Sequence, residues 1–312
     1  MRPFRKNLAI AVDGGGMRGV IVTKALSTLE QQLGRPLHDL SRLYAGTSTG
    51  SIISASLAAG LKASQIHELY LELGAGIFRK SWRTYFFPLT RYRYRPDPLE
   101  SALRAQFGEM RMKDLWRDLA LRDIVITAFD VLTNETCFIK PWKLQYQDWS
   151  LVKAVLASSS VPTYFPPVDG RYIDGGVGSY SNPCYVAAYE LSFCLGWNPE
   201  ETTLLSLGTG RSPSAIRPGE PQHLAAWDWL DPVLDAFLSS ASDQQVRLVD
   251  TFFRKLDFRR FQVDMSEALP MDDPAAIPML IDYGTEMGNM ILEDRIDRAA
   301  MIRPAKAQPD IK

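Results

Sequence analysis

The order of apolar and polar positions predicts two strand–turn–helix units at the start of the chain. Residues 8–12 are a continuous apolar run that ends in glycines, which is typical of a buried parallel strand. Apolar residues then recur at helical spacing over 17–33, and Gly34 ends that helix. Residues 43–45 predict a second strand, and 51–59 predict a second helix rich in small residues. Two such units in succession indicate an α/β fold with a parallel sheet.

Further runs complete the predicted fold. Strands are predicted at 123–129, 135–139, 171–173, 203–207 and 261–264, and helices at 99–107, 150–158, 183–194, 225–256 and 275–300. The chain contains no internal repeat, and the Pro/Ser/Gly-rich loop 211–221 does not divide it into two folding units. We therefore expect a single domain over residues 1–303, followed by a flexible tail at 304–312.

Composition is that of an ordinary globular protein, with 46% hydrophobic and 23% charged residues. A net charge of -1 provides no bulk field to recruit nucleic acid or an anionic membrane. The 3 cysteines include no C-x-x-C pair, which argues against disulfide scaffolding and cysteine-based zinc sites. Cys137 lies in a strand-like run and is expected to be a buried structural thiol. The apolar stretch after the basic N-terminus is too short for a secretory signal, so we expect a cytoplasmic protein.

The first glycine-rich turn, Asp-Gly-Gly-Gly-Met-Arg-Gly at 13–19, offers a row of backbone N–H donors between a strand and a helix. It satisfies G-x-G-x-x-G, and Asp39 follows at the distance expected of a dinucleotide-binding fingerprint. Two features oppose that interpretation, because the charge of Asp13 would face a pyrophosphate and Asp39 lies in a loop. An anion or oxyanion cradle, a dinucleotide site and a purely structural turn all stay open at this point.

The second turn, Gly-Thr-Ser-Thr-Gly at 46–50, matches G-x-S-x-G between a short strand and a helix. Flanking glycines remove side chains that would clash when a serine adopts strained backbone angles and presents its Oγ. Ser48 is therefore a candidate nucleophile at a helix N-terminus, where the dipole favours developing negative charge. The alternative is a Ser/Thr/Gly turn that only caps the helix.

A serine nucleophile needs a base, and the 3 histidines are poor candidates. His38 lies in a loop, His67 is expected on the surface of an amphipathic helix, and a Ser–Asp–His triad would have to use His223. Asp174 follows a short strand and precedes two glycines, so a carboxylate acting directly on the serine is the favoured base. The alternative for Asp174 is an Asp-Gly hairpin turn.

These segments together resemble the patatin-like phospholipase family, whose pattern is D-G-G-G-x-R-G, then G-x-S-x-G, then D-G-G or D-G-A. Residues 13–19, 46–50 and 174–176 carry the three motifs in that order. Residues 157–167 and 205–210 are similar to two weaker blocks of the family. Each motif alone is weak, but five in order are highly specific, and the resemblance covers about residues 8–210.

The resemblance implies a three-layer α/β/α fold with a mainly parallel central sheet and a Ser48–Asp174 catalytic dyad. It further implies an oxyanion hole with Arg18 beside it and several glycines that shape the motifs. The implied oxyanion donors are the amides of Gly14, Gly15 and Gly16, and the motif glycines are Gly19, Gly46, Gly50, Gly175 and Gly176. The family needs no metal or cofactor for this chemistry, and the same amides would face an acyl oxyanion rather than a pyrophosphate.

Residues 78–95, within a cap insertion at about 74–97, alternate aromatic and cationic side chains. The aromatic members are Phe78, Trp82, Tyr85, Phe86, Phe87, Tyr92 and Tyr94, and the cationic members are Arg79, Lys80, Arg83, Arg91, Arg93 and Arg95. Such a segment suits peripheral contact with a lipid surface. It also suits a plain cap whose arginines snorkel over buried rings. Single-stranded nucleic acid binding has no other support, so no nucleic acid partner is expected.

The sequence thus predicts a lipid acyl hydrolase of the phospholipase A type, acting through an acyl-enzyme on membrane phospholipid or another acyl-ester lipid. A carboxylesterase or neutral-lipid lipase, and a phospholipase effector activated by a nucleotide or partner protein, are the alternatives. The protein is expected in the cytoplasm or at the membrane surface, and a homodimer is left open as its assembly.

Overall fold

The computed structural model describes residues 1–79, 81, 84, 86–87, 89–117, 122–213 and 229–301. Several predictions from the sequence lie outside these ranges. They concern His223, the tail 304–312, the first residues of the helix predicted at 225–256, and Lys80, Trp82, Arg83 and Tyr85 of the cap insertion.

The described residues form one seven-stranded sheet. Its strands are β1 (Asn7–Val12), β2 (Ser41–Gly46), β3 (Asp123–Asp130), β4 (Glu135–Ile139), β5 (Tyr172–Asp174), β6 (Thr202–Leu207) and β7 (Asp257–Phe261). The order across the sheet is β4-β3-β2-β1-β6-β7, with β5 also paired to β3. Pairings from β3 through β2, β1 and β6 to β7 are parallel, and β4 and β5 run antiparallel to β3.

Helices fill the connections between the strands. They are α1 (Gly19–Leu33), α2 (Thr49–Ala58), α3 (Ala63–Ile77), α4 (Asp97–Phe107), α5 (Asp114–Arg117), α6 (Leu151–Ser159), α7 (Cys184–Tyr189), α8 (Leu230–Phe252) and α9 (Ile277–Leu292). Gly34 ends α1 in the left-handed conformation, as its position in the sequence predicts.

Alternation along the central strands divides the core into two halves. Ile10 and Val12 face a large apolar cluster built with α1, α2, α3, α6 and α9. Ala9 and Ala11 face the opposite cluster, which is built with α7 and α8. Successive residues of a strand point to opposite faces of the sheet, so both faces of β1 are covered by helices. The predicted three-layer α/β/α fold with a mainly parallel sheet is therefore confirmed.

Two strands, β2 and β5, pair with successive parts of the same edge of β3. Its far edge pairs with β4 over Ile126 to Asp130. On the near edge, β2 pairs as far as the Gly46–Ile126 position, and β5 begins beyond it with Asp174 opposite Ala128. Because β5 takes over where β2 stops, Asp174 lies next to the turn that follows β2.

Two predicted elements at the C-terminal end are displaced. The strand expected at 261–264 is β7 at Asp257–Phe261, where Arg259 and Arg260 are buried with only 1% and 3% exposure. The helix expected over 275–300 ends at Leu292, because Asp294 takes a positive φ of 57° and reverses the chain. The N–H of Asp297 then donates to the carbonyl of Arg260 at 2.8 Å, which ties this segment to the sheet edge.

Candidate active site

The two glycine-rich turns meet at the carboxyl ends of β1 and β2. A Cβ built on Gly14 would lie 3.2 Å from the Cβ of Ser48. A Cβ built on Gly50 would overlap the carbonyl oxygen of Val12, so only glycine allows the second turn to approach the end of β1 this closely. Parallel neighbours deliver both turns to one edge of the sheet, as their order in the sequence predicts.

Ser48 has a strained backbone and a buried environment. Its φ of 55° and ψ of -127° are unusual for a residue with a side chain. Its N–H donates to the hydroxyl oxygen of Ser158 at 2.9 Å, and the residue is only 6% exposed. Such a conformation costs on the order of 1–3 kcal/mol and persists only where the surroundings impose it. Ser48 immediately precedes α2, so the sequence prediction of its position is confirmed.

Asp174 ends β5 and is 4% exposed. Its Oδ1 accepts the N–H of Gly176 at 2.8 Å, and its own N–H donates to the carbonyl of Ser160 at 3.0 Å. Burial raises the pKa of the Asp174 carboxyl to about 6, although the Ser48 side chain and the Gly176 N–H both act to lower it. This pKa keeps the carboxylate mostly ionised at neutral pH while making it a better proton acceptor than an exposed aspartate.

Among the described residues, the side chains of Ser48 and Asp174 form no hydrogen bond with each other. The Ser48 hydroxyl is near enough to lower the pKa of Asp174. By strict geometry, however, the buried Oδ2 of Asp174 has no hydrogen-bond partner among the described residues. The two side chains are neighbours that do not yet form a hydrogen bond. Hydrogen bonds between a base and its nucleophile often form fully only when substrate binds.

The backbone N–H groups of the first turn differ in whether they donate a hydrogen bond among the described residues. Gly14 N–H donates to the carbonyl of Ser181 at 2.8 Å, and Met17 N–H donates to the carbonyl of Met271 at 2.8 Å. Within the described ranges, the N–H groups of Gly15 and Gly16 donate to no acceptor. The prediction that Gly14 is an oxyanion donor is therefore wrong, because its N–H is already engaged. Gly15 and Gly16 keep that potential, and Arg18 lines the same cavity.

Asp13 holds the start of this turn in place. It forms a buried ion pair with Arg260, with Nη1–Oδ1 at 2.9 Å and Nη2–Oδ2 at 2.6 Å. Nη1 of Arg260 also donates to Ser206 Oγ on β6 at 2.9 Å. From the sequence, Asp13 is expected to repel an incoming pyrophosphate. In the structure, the buried guanidinium of Arg260 neutralises the charge of Asp13. Arg260 is absent from the sequence predictions, since no motif marks it.

Ser48, Asp174 and the glycine turn line one cavity of about 700 Å³. This size suits a drug-sized or lipid ligand. Much of the wall is apolar, including Ile52, Ile77, Phe78, Leu99, Val161, Phe165 and Leu269. Arg18, Arg93 and Asp272 add charged groups to the lining. Sequence reasoning missed the wall segment 268–272, which carries no motif and joins β7 to α9.

The predicted cap insertion has an anchored end and an exposed part. The N–H groups of Arg93 and Tyr94 donate to the carbonyls of Thr163 and Tyr164 at 2.9 and 3.0 Å. Tyr94 is buried, and its hydroxyl donates to Asp272 Oδ2 at 2.7 Å. Phe86 and Leu89, in contrast, are 59% and 85% exposed. The anchored end thus agrees with a plain cap, and the exposed side chains agree with lipid contact.

The described histidines lie away from the cavity. His67, predicted as a surface residue, is partly exposed, and its Nδ1 lies 2.9 Å from Thr23 Oγ1. Burial lowers the pKa of His67. His38 Nδ1 lies 3.2 Å from the carbonyl of Leu61. Neither ring lines the cavity with Ser48, which leaves Asp174 as the base candidate in the described part of the chain. Cys137 is buried, as predicted.

No group of three metal-ligating side chains occurs among the residues that the structure describes.

The chain is similar to one protein family and to several known proteins. The model of the family described as patatin-like phospholipase matches residues 10–188. Patatin-like protein 1 of Oryza sativa subsp. indica is 30% identical over 293 residues, which cover 77% of this chain and 69% of that protein. The cGAMP-activated phospholipase of Vibrio cholerae is 27% identical over 252 residues, covering 70% of this chain and 69% of the relative. The crystal structure of VipD from Legionella pneumophila aligns with a TM-score of 0.49 at 14% identity, covering 94% of this chain and 67% of that one.

Proposed function

The chain belongs to the patatin-like phospholipase family of lipid ester hydrolases, and on that premise we propose that it is a phospholipase A-type acyl hydrolase with Ser48 as nucleophile and Asp174 as base. One observation carries the assignment of roles. The strained Ser48 and the buried Asp174 line the same largely apolar cavity, beside a glycine turn with two N–H groups that donate to no acceptor in the described ranges.

In the acylation step, Ser48 Oγ attacks the ester carbonyl as Asp174 Oδ2 accepts the hydroxyl proton. The pKa of about 6 suits this transfer, because a base works best when its pKa lies near the working pH. The carbonyl oxygen becomes an oxyanion, which the N–H groups of Gly15 and Gly16 would stabilise. Collapse of this intermediate breaks the ester C–O bond, and the leaving alcohol takes the proton from Asp174. Water then releases the fatty acid from the acyl-enzyme.

The lining of the cavity supports a phospholipid as substrate. Its apolar wall suits an acyl chain, since burying each CH₂ group contributes about 0.8 kcal/mol. Arg93 lines the cavity with its guanidinium 4.8 Å from the centre of the Tyr164 ring and 5.0 Å from that of Phe87. A cation held in this way favours an anionic phosphate over the neutral head of a triglyceride.

Peripheral membrane contact through residues 78–95 belongs to the same proposal. Phe86 and Leu89 are exposed, and they lie in the insertion whose anchored end forms a wall of the cavity. Among the described helices, none is long and apolar enough to cross a membrane. We further propose that residues 1–303 act as a single hydrolase domain in the cytoplasm, and that catalysis needs no cofactor.

Product analysis from a mixed lipid extract tests the proposal. Incubation with the protein should release free fatty acids and lysophospholipids, measured by mass spectrometry, and Ser48→Ala and Asp174→Asn should release neither. Fatty acid derived from triglyceride without lysophospholipid would favour the neutral-lipid lipase. Near wild-type turnover of a short-chain nitrophenyl ester by either folded variant would reject the dyad.

A nucleotide-activated hydrolase is the second candidate. Its support is the similarity to a Vibrio relative described as a cGAMP-activated phospholipase. Adding cGAMP to the same ester assay should raise turnover if this chain shares that control. An unchanged rate over a wide range of nucleotide concentration would contradict activation by this nucleotide and leave the hydrolase proposal intact.

A further inference from the structure

Three consecutive serines connect the proposed nucleophile to the proposed base. Ser158 Oγ accepts the N–H of Ser48 at 2.9 Å, and the carbonyl of Ser160 accepts the N–H of Asp174 at 3.0 Å. Ser159 lies between these two anchors, at the C-terminal end of α6. It lines the same cavity as Ser48 and Asp174. The backbone of Ser159 is therefore held between two residues that contact Ser48 and Asp174, in the wall of the cavity that all three line.

The hydroxyl of Ser159 is buried without a partner in the part of the chain that the structure describes. The residue is 6% exposed, and its Oγ has no hydrogen bond among the described residues. The neighbouring Ser160 behaves differently, because its hydroxyl donates to the carbonyl of Leu156 at 2.9 Å within the helix. A buried hydroxyl without a partner costs about 1–3 kcal/mol. In a cavity wall, that unused capacity is available to a bound molecule.

Asp174 presents a second such atom in the same cavity. Its Oδ1 is held by the N–H of Gly176, whereas its Oδ2 is buried and unpartnered among the described residues. Ser159 Oγ and Asp174 Oδ2 can each accept a hydrogen bond from one of the two O–H groups of a single water molecule. Such a water is held by both hydrogens, which leaves a lone pair of its oxygen free to point toward the acyl carbon on Ser48.

We propose, on the basis of the proposed function, that Ser159 is a catalytic residue that binds the water responsible for deacylation. Ser159 Oγ accepts a hydrogen bond from the O–H group that the water keeps, and Asp174 Oδ2 accepts the proton of the O–H bond that breaks. The water oxygen forms its bond to the acyl carbon, giving a tetrahedral intermediate. The intermediate then breaks its bond to Ser48 Oγ, which takes the proton back from Asp174, and the fatty acid leaves.

The test separates acylation from deacylation in the Ser159→Ala variant. With a nitrophenyl ester, whose leaving group departs readily, the burst of nitrophenol reports acylation and the later steady rate reports deacylation. Ser159→Ala should keep the burst rate and lower the steady rate by about 10–100-fold, because the water loses one of its two positioning contacts. Mass spectrometry of quenched samples should show the acyl group accumulating on Ser48. Since the variant only deletes an unpaired hydroxyl, its melting temperature should not fall.

Ser56→Ala is the matched control. Ser56 also has a buried hydroxyl without a partner among the described residues, but it lies in α2 and does not line the cavity. Both of its rates should equal those of the wild type. Unchanged steady turnover in Ser159→Ala, or a burst that slows in parallel with turnover, would overturn the role in deacylation while the hydrolase proposal stands. A wild-type protein that is inert toward esters would instead reject the proposed function, and this inference with it.

Discussion

Arg260, near the end of β7, reaches across β6 and holds Asp13, the first residue after β1, through hydrogen bonds of 2.9 and 2.6 Å. Both side chains are buried, with exposures of 3% and 7%. The pair fixes the start of the turn that carries Gly15 and Gly16. It thereby joins the strand next to the nucleophile to the opposite edge of the sheet.

Replacing Arg260 with Met should destabilise the protein by about 3–5 kcal/mol, because Asp13 would remain as a buried charge without its partner. Ester turnover should fall as well, since the glycine turn loses its support. Urea unfolding at pH 7 measures the first effect. Arg295→Met is the control: its pair with Glu293 has side chains that are 51% and 60% exposed, so its loss should cost less than about 1 kcal/mol. Equal costs for the two variants would contradict this account.

The pH dependence of ester hydrolysis should report Asp174. Burial sets the pKa of its carboxyl at about 6, and the proposed base acts only when ionised. The ratio kcat/KM should therefore be level above pH 7 and fall about tenfold per pH unit below pH 6. A nitrophenyl ester assayed from pH 4.5 to 8 measures this profile. A decline that begins only below pH 4 would mean that an ordinary exposed carboxylate is the base.

The same pKa has an opposite consequence for stability. An acid whose pKa is raised on folding binds more protons in the folded state than in the unfolded state. Its favourable contribution to the free energy of unfolding is fully present below its unfolded pKa of about 3.9, and it is lost as the pH rises through its folded pKa of about 6. At pH 7 the ionised Asp174 costs about 3 kcal/mol by this linkage. Asp174→Asn should therefore raise the melting temperature at pH 7 and have little effect at pH 4. A loss of stability at pH 7 would contradict the desolvation of Asp174.

Gly50 and Gly76 both lie in helices but differ in their surroundings. Gly50→Ala would drive a Cβ into the carbonyl oxygen of Val12, whereas a Cβ on Gly76 would meet no atom of the described residues within 4 Å. We expect Gly50→Ala to cost about 3 kcal/mol and to suppress hydrolysis, since backbone atoms cannot move aside easily. Gly76→Ala should stabilise by about 0.5–1 kcal/mol through helix propensity. Chemical denaturation of both variants provides the comparison.

Vesicle binding tests the exposed part of the cap insertion. Leu89 is 85% exposed, and Leu144, outside the insertion, is 81% exposed. In a Ser48→Ala background that prevents hydrolysis, Leu89→Ser should weaken sedimentation with phosphatidylglycerol-containing vesicles by about tenfold, and Leu144→Ser should leave it unchanged. Equal binding by the two variants would remove the support for membrane contact through this segment.

The elements around Ser48 and Asp174 could be predicted from the sequence because their signals are local. An apolar run followed by glycine specifies β1 and its turn, and G-x-S-x-G specifies the next turn. The sequence 257–261, Asp-Phe-Arg-Arg-Phe, gives no sign that it is buried, because the burial of Arg259 and Arg260 depends on acidic partners that neutralise their charges. Those partners, Asp257 and Asp13, cannot be assigned before the fold is known.

Ser159 was equally hidden from sequence reasoning. One of three adjacent serines lines the cavity with a hydroxyl that has no partner in the described part of the chain, and the packing of α6 against the end of β5 decides which one. The engagement of the Gly14 N–H by Ser181 is a contact of the same long-range kind. Local patterns thus locate the reacting residues, whereas the tertiary fold decides which neighbouring groups remain free to assist them.

The shared edge of β3 has a consequence for the order in which activity can arise during synthesis. Ser48 and Asp174 become neighbours only after β2 and β5 have both paired with β3. The turn beside Ser48 is fixed only when Arg260, far along the chain, reaches Asp13. A chain still emerging from the ribosome therefore has a serine in the right sequence but no assembled site. Translation must therefore pass Arg260 before the proposed hydrolase site can be complete.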